Sequence, residues 1–382
     1  MRKLLLYGLI CSLLSCQSKL TEIPVTDINL KDAIESGRED SFDSYCKSID
    51  YVKLETNDSV LLRNPFYVFT DSTIIAYERH VIHQFNYDGK HLNSYLKHGQ
   101  GPGDILHLNR MYWNQDLKCI HAFDGGKRKI MTFDENLNLL DEQSFSIPIH
   151  AMGINRNLLF CGMSKDNFRY KEPDCLVAKY DLNTKNSEIL FRSTKEQFKA
   201  ETFPIFAFGT DIFQSDTVFY FKEHRSDSIF CFTADNLKPQ FAYRIHAGEP
   251  YPEELDYRHE NRHEILDYIN VESCKDLGDK LLLNYTYKSH NTKKAIFYKN
   301  TGEVVCMKDN RWNSIDNGMA IKLYSKVKDN IWFAGDIKPE QLFNSELNKR
   351  LNRNPYGSFK LLNILSNTDM EDNPILMFVK LK

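Results

Sequence analysis

From residue 49 onward the chain is dominated by short runs in which apolar and β-branched residues alternate with polar ones at period two. The runs form a recurring phrase. A first run, a tight break and a second run end in an aromatic residue followed by an Asp/Asn-rich turn. The second runs are VIHQFNYDG (81–89), KIMTFDEN (129–136), DCLVAKYDLN (174–183), DSIFCFTADN (227–236), KKAIFYKNTG (293–302) and PILMFVKLK (374–382). Their partners are STIIAYE (72–78), KCIHAFD (118–124), NLLFCGM (157–163), DTVFYFKE (216–223), DKLLLNYTY (279–287) and NIWFAGD (330–336). Each pair is preceded by a third run, and in the first five copies a more polar fourth run follows the turn. Asp88-Gly89, Asn136, Asn183, Asp235-Asn236 and Thr301-Gly302 are the residues expected to take positive φ there.

Four strands per unit and six units predict an all-β protein, a six-bladed β-propeller of four-stranded antiparallel blades. The sixth unit has three strands, expected at 319–326, 330–336 and 375–382, and then the chain ends. An unpaired strand, IDYVKLE (49–55), stands ahead of the first unit. Placing it in the last blade pairs the two chain ends and removes the open edges. An open sandwich would leave this strand without a role. Two stretches break the rhythm: 249–270 reads as a helix with Leu255, Leu266 and Ile269 as a partial apolar stripe, and 337–373 holds a helical pattern around 339–352 and a less regular part after 356. Such short helical insertions project from one face of a repeat protein and are where binding is expected.

The segments YVKLETNDS (51–59), HGQGPGD (98–104) and DNPILMFVKLK (372–382) resemble the six-bladed propeller lipoproteins of Bacteroides-type bacteria, relatives of NHL- and TolB-like propellers. The resemblance covers nearly all of the chain after its leader. It implies the fold and a lipid anchor and carries no agreed reaction.

Composition narrows the classes. The 382 residues are 42% hydrophobic and 13% aromatic, ample for a core, and the net charge of −3 excludes the basic face a nucleic-acid binder needs. Arg2 and Lys3, an apolar run over 4–14 and Leu13-Leu14-Ser15-Cys16 read as a lipoprotein signal, with residues 1–15 removed and Cys16 lipidated. The apolar run is too short to span a bilayer, which needs ~20 residues. Residues 16–47 are then a tether and approach segment and 48–382 the propeller. The expected location is the cell envelope, at the outer membrane, with the lipid holding the protein to the membrane. Nine cysteines include seven beyond Cys16, scattered without a C-x-x-C pair, so buried thiols are expected rather than a zinc site.

Candidate chemistry is sparse. In HGQGPGD, Gly99, Gly101 and Gly103 permit positive φ and Pro102 fixes the bend, so the loop is either a tight crossover or a nest of backbone N–H groups for an anion or sugar oxygen. His98, Gln100, Gly101 and Asp104 of this loop, with the aromatics Trp113, Tyr251 and Tyr257, form the expected binding set. Tyr112 and Trp312 are further aromatics that stacking would suit, although most aromatics in such a chain pack between blades. His259-Glu260-Asn261-Arg262-His263 matches H-E-x-x-H, in which His259 and His263 would hold Zn²⁺ and Glu260 would polarise water. Its charged flanks and missing third ligand favour a solvated helix. Asn109, Asn155, Asp211, Glu272 and Asn317 offer oxygens for Ca²⁺ in a central channel, without regular acidic placement. The expectation is therefore a non-catalytic propeller that binds a ligand, an envelope protein or a glycan, with no cofactor. The alternative is a Ca- or Zn-dependent envelope hydrolase of the lactonase or phosphoesterase type, working in the channel.

Overall fold

The structure, a computed structural model, describes residues 25–145, 147, 149–163, 175–193, 209–223, 226–249 and 264–382. Its strands form six antiparallel sheets, the blades, each built from successive strands A to D. Blade 1 consists of Phe66–Phe69, Thr73–Glu78, Val81–Asn86 and His91–Tyr95. Blade 2 is Leu108–Asn114, Cys119–Asp124, Lys129–Asp134 and Leu139–Ser144. Blade 3 is Ile149–Asn155, Leu158–Met163, Cys175–Asp181 and Asn186–Arg192. Blade 4 is Asp211–Ser215, Val218–Lys222, Ser228–Thr233 and Gln240–Ile245, and blade 5 is Asn270–Asp276, Lys280–Thr286, Lys293–Tyr298 and Val304–Met307. Blade 6 joins Ser325–Lys328, Ile331–Ile337 and Ile375–Leu381 to Cys46–Lys53 from the start of the chain.

Pairing of Ile375 with Lys53 and of Val379 with Ile49 gives the closure expected from the truncated sixth phrase. The closing strand runs from Cys46 to Lys53 rather than over 49–55, because Glu55 N donates instead to Gly89 O of blade 1 at 2.8 Å. The first strand of blade 6 also differs from 319–326. The apolar alternation of Met319, Ile321 and Leu323 is real, but Ala320 N bonds Arg311 O at 3.1 Å and Asn313 N bonds Gly318 O at 3.0 Å. Those bonds use the backbone that a ladder would need, so pairing with Ile331–Ile337 begins only at Ser325. Helix Phe359–Ser366 lies in the part expected to be less regular.

Each junction between neighbouring blades has its own apolar core, and the cores follow one another around a closed ring. Strand B of blade 1 shows why. Ile74 and Ala76 pack toward blade 6, whereas Ile75 and Tyr77 pack toward blade 2. A strand covered on both faces is apolar throughout, and so the first runs read as nearly continuous hydrophobic stretches. The aromatic residue closing each second run is a core residue: Phe85, Phe133, Tyr180, Phe232 and Phe297 are all buried. The residue after it caps the turn. Asn86 Oδ1 accepts from Asp88 N and Lys90 N, Asp134 Oδ1 from Asn136 N and Asn138 N, and Asp181 Oδ1 from Asn183 N and Thr184 N. These Asx caps move the left-handed position along the turn, so positive φ falls on Leu137 and Lys185 rather than on Asn136 and Asn183. Gly89 and Gly302 take it as expected.

The approach segment is folded onto the rim. Thr26–Ile28 adds a parallel fifth strand to blade 4, helix Leu30–Glu35 follows, and Glu39–Asp40 adds a parallel strand to blade 5. Ile28, Leu30 and Phe42 of this belt are buried in the cores of the blade 4–5 and blade 5–6 junctions.

Candidate functional site

Because strands A to D alternate in direction, the B–C and D–A connections leave the blades at one end and the A–B and C–D hairpins at the other. The hairpin end is uniformly tight. Lys118, Arg156, Asp216 and Asp329 each hold φ between 47° and 50° in their A–B turns. The long connections all start and finish at the other end: 54–65, 96–107, 164–174, 193–210, 246–269, 308–324 and 338–374. Exposed large hydrophobic residues gather there too. Phe66 is 56% exposed, Tyr324 55%, Phe359 69% and Tyr356 94%, a density of bare aromatic surface that the hairpin end lacks among the described residues.

The HGQGPGD loop is at this end, and its own side chains fill it. Gly101 N donates to Asp104 Oδ2 at 2.9 Å, Gly103 N to Glu142 Oε2 at 2.8 Å, and Gly99 N to Ile105 O at 3.2 Å. Lys127 Nζ closes the loop from outside through Gly101 O and Asp104 O, both at 2.7 Å. The N–H groups that would form an anion nest therefore already bind carboxylates and a carbonyl. Gly99 and Gly103 hold positive φ, whereas Gly101 does not. What the loop leaves bare is its rim: His98 and Gln100 are exposed, and His98 stacks on His80 with ring centroids 4.4 Å apart.

Trp113 is at the far end of strand A of blade 2, beside the hairpin of Lys118, whose Nζ stands 5.9 Å from its ring. It is thus apart from His98, Gln100, Gly101 and Asp104. Tyr112 packs edge-on against Phe123 in the blade 2–3 core. Trp312 lies between two guanidinium groups, Arg311 at 5.0 Å and Arg350 at 5.4 Å. Tyr251, Tyr257, His259, Glu260, His263 and Cys16 lie outside the described residues. The five oxygen donors weighed for Ca²⁺ are dispersed. Asn109 Oδ1 accepts from Gly125 N, Asp211 Oδ2 from Cys274 N and Glu272 Oε2 from Thr292, while Asn317 donates to Ser358. Asn155 is at the hairpin end of its strand. Among the described residues no three His, Cys, Asp or Glu side chains are grouped to hold a metal.

The sequence reading names Asp211 as an inner-strand oxygen donor but misses the polar groups that accompany it. Asp211 bonds across from blade 4 to blade 5, and Lys275 Nζ reaches Tyr324 O of the next blade at 2.8 Å. Tyr67 donates to Asp336 Oδ2 at 3.3 Å across the blade 6–1 junction. Lys222 is 1% exposed, and its Nζ donates to Glu223 O at 3.1 Å. Burial pushes the Asp211 and Asp336 carboxyls up despite the hydrogen bonds they accept, and it pushes the Lys275 ammonium down. Burial, with Asp336 adding to it, also holds the Tyr67 phenol well above its usual range. The result is a channel end that carries carboxyl, ammonium and phenol groups able to donate and accept hydrogen bonds. The signal in the sequence is a charge closing an apolar run, as in FYFK (219–222) and FAGD (333–336).

A family model described as "Domain of unknown function (DUF4934)" matches residues 25–380. The chain belongs to the DUF4934 family. Among solved structures this DUF4934 propeller is similar to an exported protein of Bacteroides fragilis, with a TM-score of 0.67, 16% identity and coverage of 94% of this chain and 100% of that one. It is also similar to a DUF4221 family member from Bacteroides vulgatus, with a TM-score of 0.54, 10% identity and coverage of 88% and 97%. At these identities the likeness is one of fold, and it agrees with the resemblance carried by residues 51–59, 98–104 and 372–382. No functionally curated protein matches the chain.

Proposed function

We propose that this DUF4934 propeller is a cell-envelope lipoprotein, held by a lipid on Cys16, whose long-connection end binds a ligand or a partner protein without catalysis. The observation that carries the reading is the segregation of every long connection, the bare aromatics and the polar channel end to one side of the ring. Such a surface offers stacking area beside groups that donate and accept hydrogen bonds, which suits an envelope protein or a glycan. His98 and Gln100 border it, and Tyr251 and Tyr257 belong to a connection that starts from it.

The test is a crosslinking pull-down from native envelope with wild-type protein and a Tyr356→Ala/Phe359→Ala variant. A defined partner or glycan captured by the first and lost by the second supports the reading. Equal capture by both, or capture by a variant of the hairpin end only, removes it. Cys16→Ala should release the protein from membranes, and unchanged fractionation contradicts the anchor. Stoichiometric Ca²⁺ or Zn²⁺ in protein purified without chelator, together with turnover of a lactone or phosphoester, would replace binding with hydrolysis.

A further inference from the structure

At the outer rim of the long-connection end, where blades 5 and 6 meet, the chain encloses a cavity of ≈ 40 Å³. Four lysines line it: Lys293, Lys294, Lys308 and Lys322. They come from three places, the start of strand C, the crossover to blade 6 and the approach to its first strand. The rim belt closes the cavity with Phe42 and Asp43, opposite Trp312.

The charges do not balance. Among the described residues none of the four ammonium groups has a carboxylate within 4.0 Å. Their one side-chain hydrogen bond is from Lys294 Nζ to Ile321 O at 3.1 Å, with the ammonium 5.8 Å from the Phe42 ring. Two carboxylates line the same cavity, Asp43 and Asp309. Asp43 Oδ2 is already occupied by Ser314 N at 2.6 Å and Ser314 Oγ at 2.7 Å. Four ammonium groups against two carboxylates leave an excess of two positive charges at a half-enclosed site. Burial and then the nearby Lys322 hold the Lys294 ammonium below the usual lysine range, against the pull of Asp309. A folded chain keeps such repulsion where something of the opposite sign relieves it.

We propose that this pocket binds a phosphate group, either inorganic phosphate or the phosphomonoester of a larger molecule. A phosphomonoester carries about −1.5 to −2 at neutral pH, which matches the excess, and lysine binds phosphate as a mobile point charge. The cavity has room for roughly three water molecules, the scale of one tetrahedral oxyanion. Because Phe42 and Asp43 form one wall, occupation would also fasten the belt to the blade 5–6 junction. The site is independent of the channel end.

The experiment is a titration of full-length protein with inorganic phosphate at fixed ionic strength and pH 7, followed by calorimetry and ³¹P line broadening. Lys308→Ala/Lys322→Ala is the test variant, since both side chains are exposed and folding does not depend on them. Lys185→Ala/Lys238→Ala, on distant hairpins, is the control. Saturable binding is expected for wild type and control, weakened at least ten-fold in the test variant and weakened for all as the pH falls from about 8 to about 6, across which inorganic phosphate loses its second charge. Absence of saturable binding, or equal affinity in the test variant, overturns the proposal. Where binding is found, displacement by phosphatidic acid vesicles but not by phosphatidylcholine vesicles assigns the phosphate to a lipid headgroup. Displacement by glycerol phosphate alone assigns it to a soluble ester.

Discussion

Asn373 offers the most direct test of how the ring is closed. Its side chain is fully buried and makes three hydrogen bonds to the crossover from blade 6 to blade 1. Oδ1 accepts from Leu62 N at 2.7 Å, and Nδ2 donates to Glu55 O at 2.7 Å and Val60 O at 2.9 Å. Its backbone N donates to Thr56 Oγ1 at 2.7 Å. Two of the segments that carry the family resemblance, 51–59 and 372–382, are thereby stitched together beside the closing strand pair. Asn373→Ala deletes all three side-chain bonds and leaves one N–H and two carbonyls without partners. At about 1 kcal/mol per lost bond, and more for each group left dry, the cost is ~3–5 kcal/mol. With a urea m-value of about 3 kcal/mol/M, the unfolding midpoint should drop by about 1 to 1.7 M. Thr56→Val removes the contact to the Asn373 backbone and the hydrogen bond that Thr56 gives Asp372, and should cost about 1–2 kcal/mol. Asn373→Asp turns an acceptor toward two carbonyl oxygens and should be worse than alanine. The assay is urea unfolding followed by circular dichroism and tryptophan fluorescence. A loss under ~1 kcal/mol for Asn373→Ala at unchanged m, or one no larger than that of Thr56→Val, would refute the idea that this side chain locks the ring.

Three further outcomes are expected. All seven described cysteines are buried thiols, and burial pushes Cys119 and Cys231 up to about 11 and Cys274 to about 12, so a thiol reagent at pH 8 should label none of them in the native protein and all seven after denaturation. Gly162→Ala should destabilise the blade 3–4 junction by about 1–3 kcal/mol on thermal melting, because a Cβ there would meet the Thr210 carbonyl oxygen at 2.3 Å and backbone cannot rotate away. In acid, Asp372 and Glu142 should control stability: burial is the largest single influence and raises both carboxyls, but the hydrogen bonds and charges of Lys53 and Lys129, together with the backbone N–H groups of Asp369 and Gly103, outweigh it and hold them below the usual range. Their stabilisation is present above the unfolded pKa values of about 4 and is lost as pH falls through the folded ones. Asp372→Asn should accordingly lower the melting temperature at pH 7, and the gap to wild type should close as the pH falls below about 4; a constant gap would contradict this.

The repeat was legible because a blade strand is covered on both sides, which writes its burial directly into sequence as an apolar run. The pairing of the two chain ends could be read from one missing strand and one spare. Local turn chemistry was less visible. Asn136 and Asn183 looked like the left-handed residues, but Asp134 and Asp181 capture their N–H groups and shift that conformation to Leu137 and Lys185. The strand expected at 319–326 failed for a similar reason, since Asn313 and its hydrogen bonds hold the preceding loop closed on itself. The site was hardest to read. Asp211 and Lys275 come together only across the blade 4–5 junction and Asp336 and Tyr67 only across the blade 6–1 junction, and the four lysines of the rim cavity are spread over thirty positions of sequence between 293 and 322. Charge that gathers only through folding leaves no local pattern, whereas HGQGPGD, a conspicuous local pattern, proves to be filled by its own Asp104 and by Glu142 of blade 2.

The rim belt gives the molecule a mechanical character. A pull on the N-terminal end does not load the ring closure first. It reaches Thr26–Ile28 on blade 4, then Glu39–Asp40 on blade 5, and only afterward the seven paired residues that join Cys46–Lys53 to the last strand. The two belt strands are short and parallel to their neighbours, so they would peel away in sequence and let out slack while the propeller stays shut. Residues 26–40 would thus give way before the ring closure carries load.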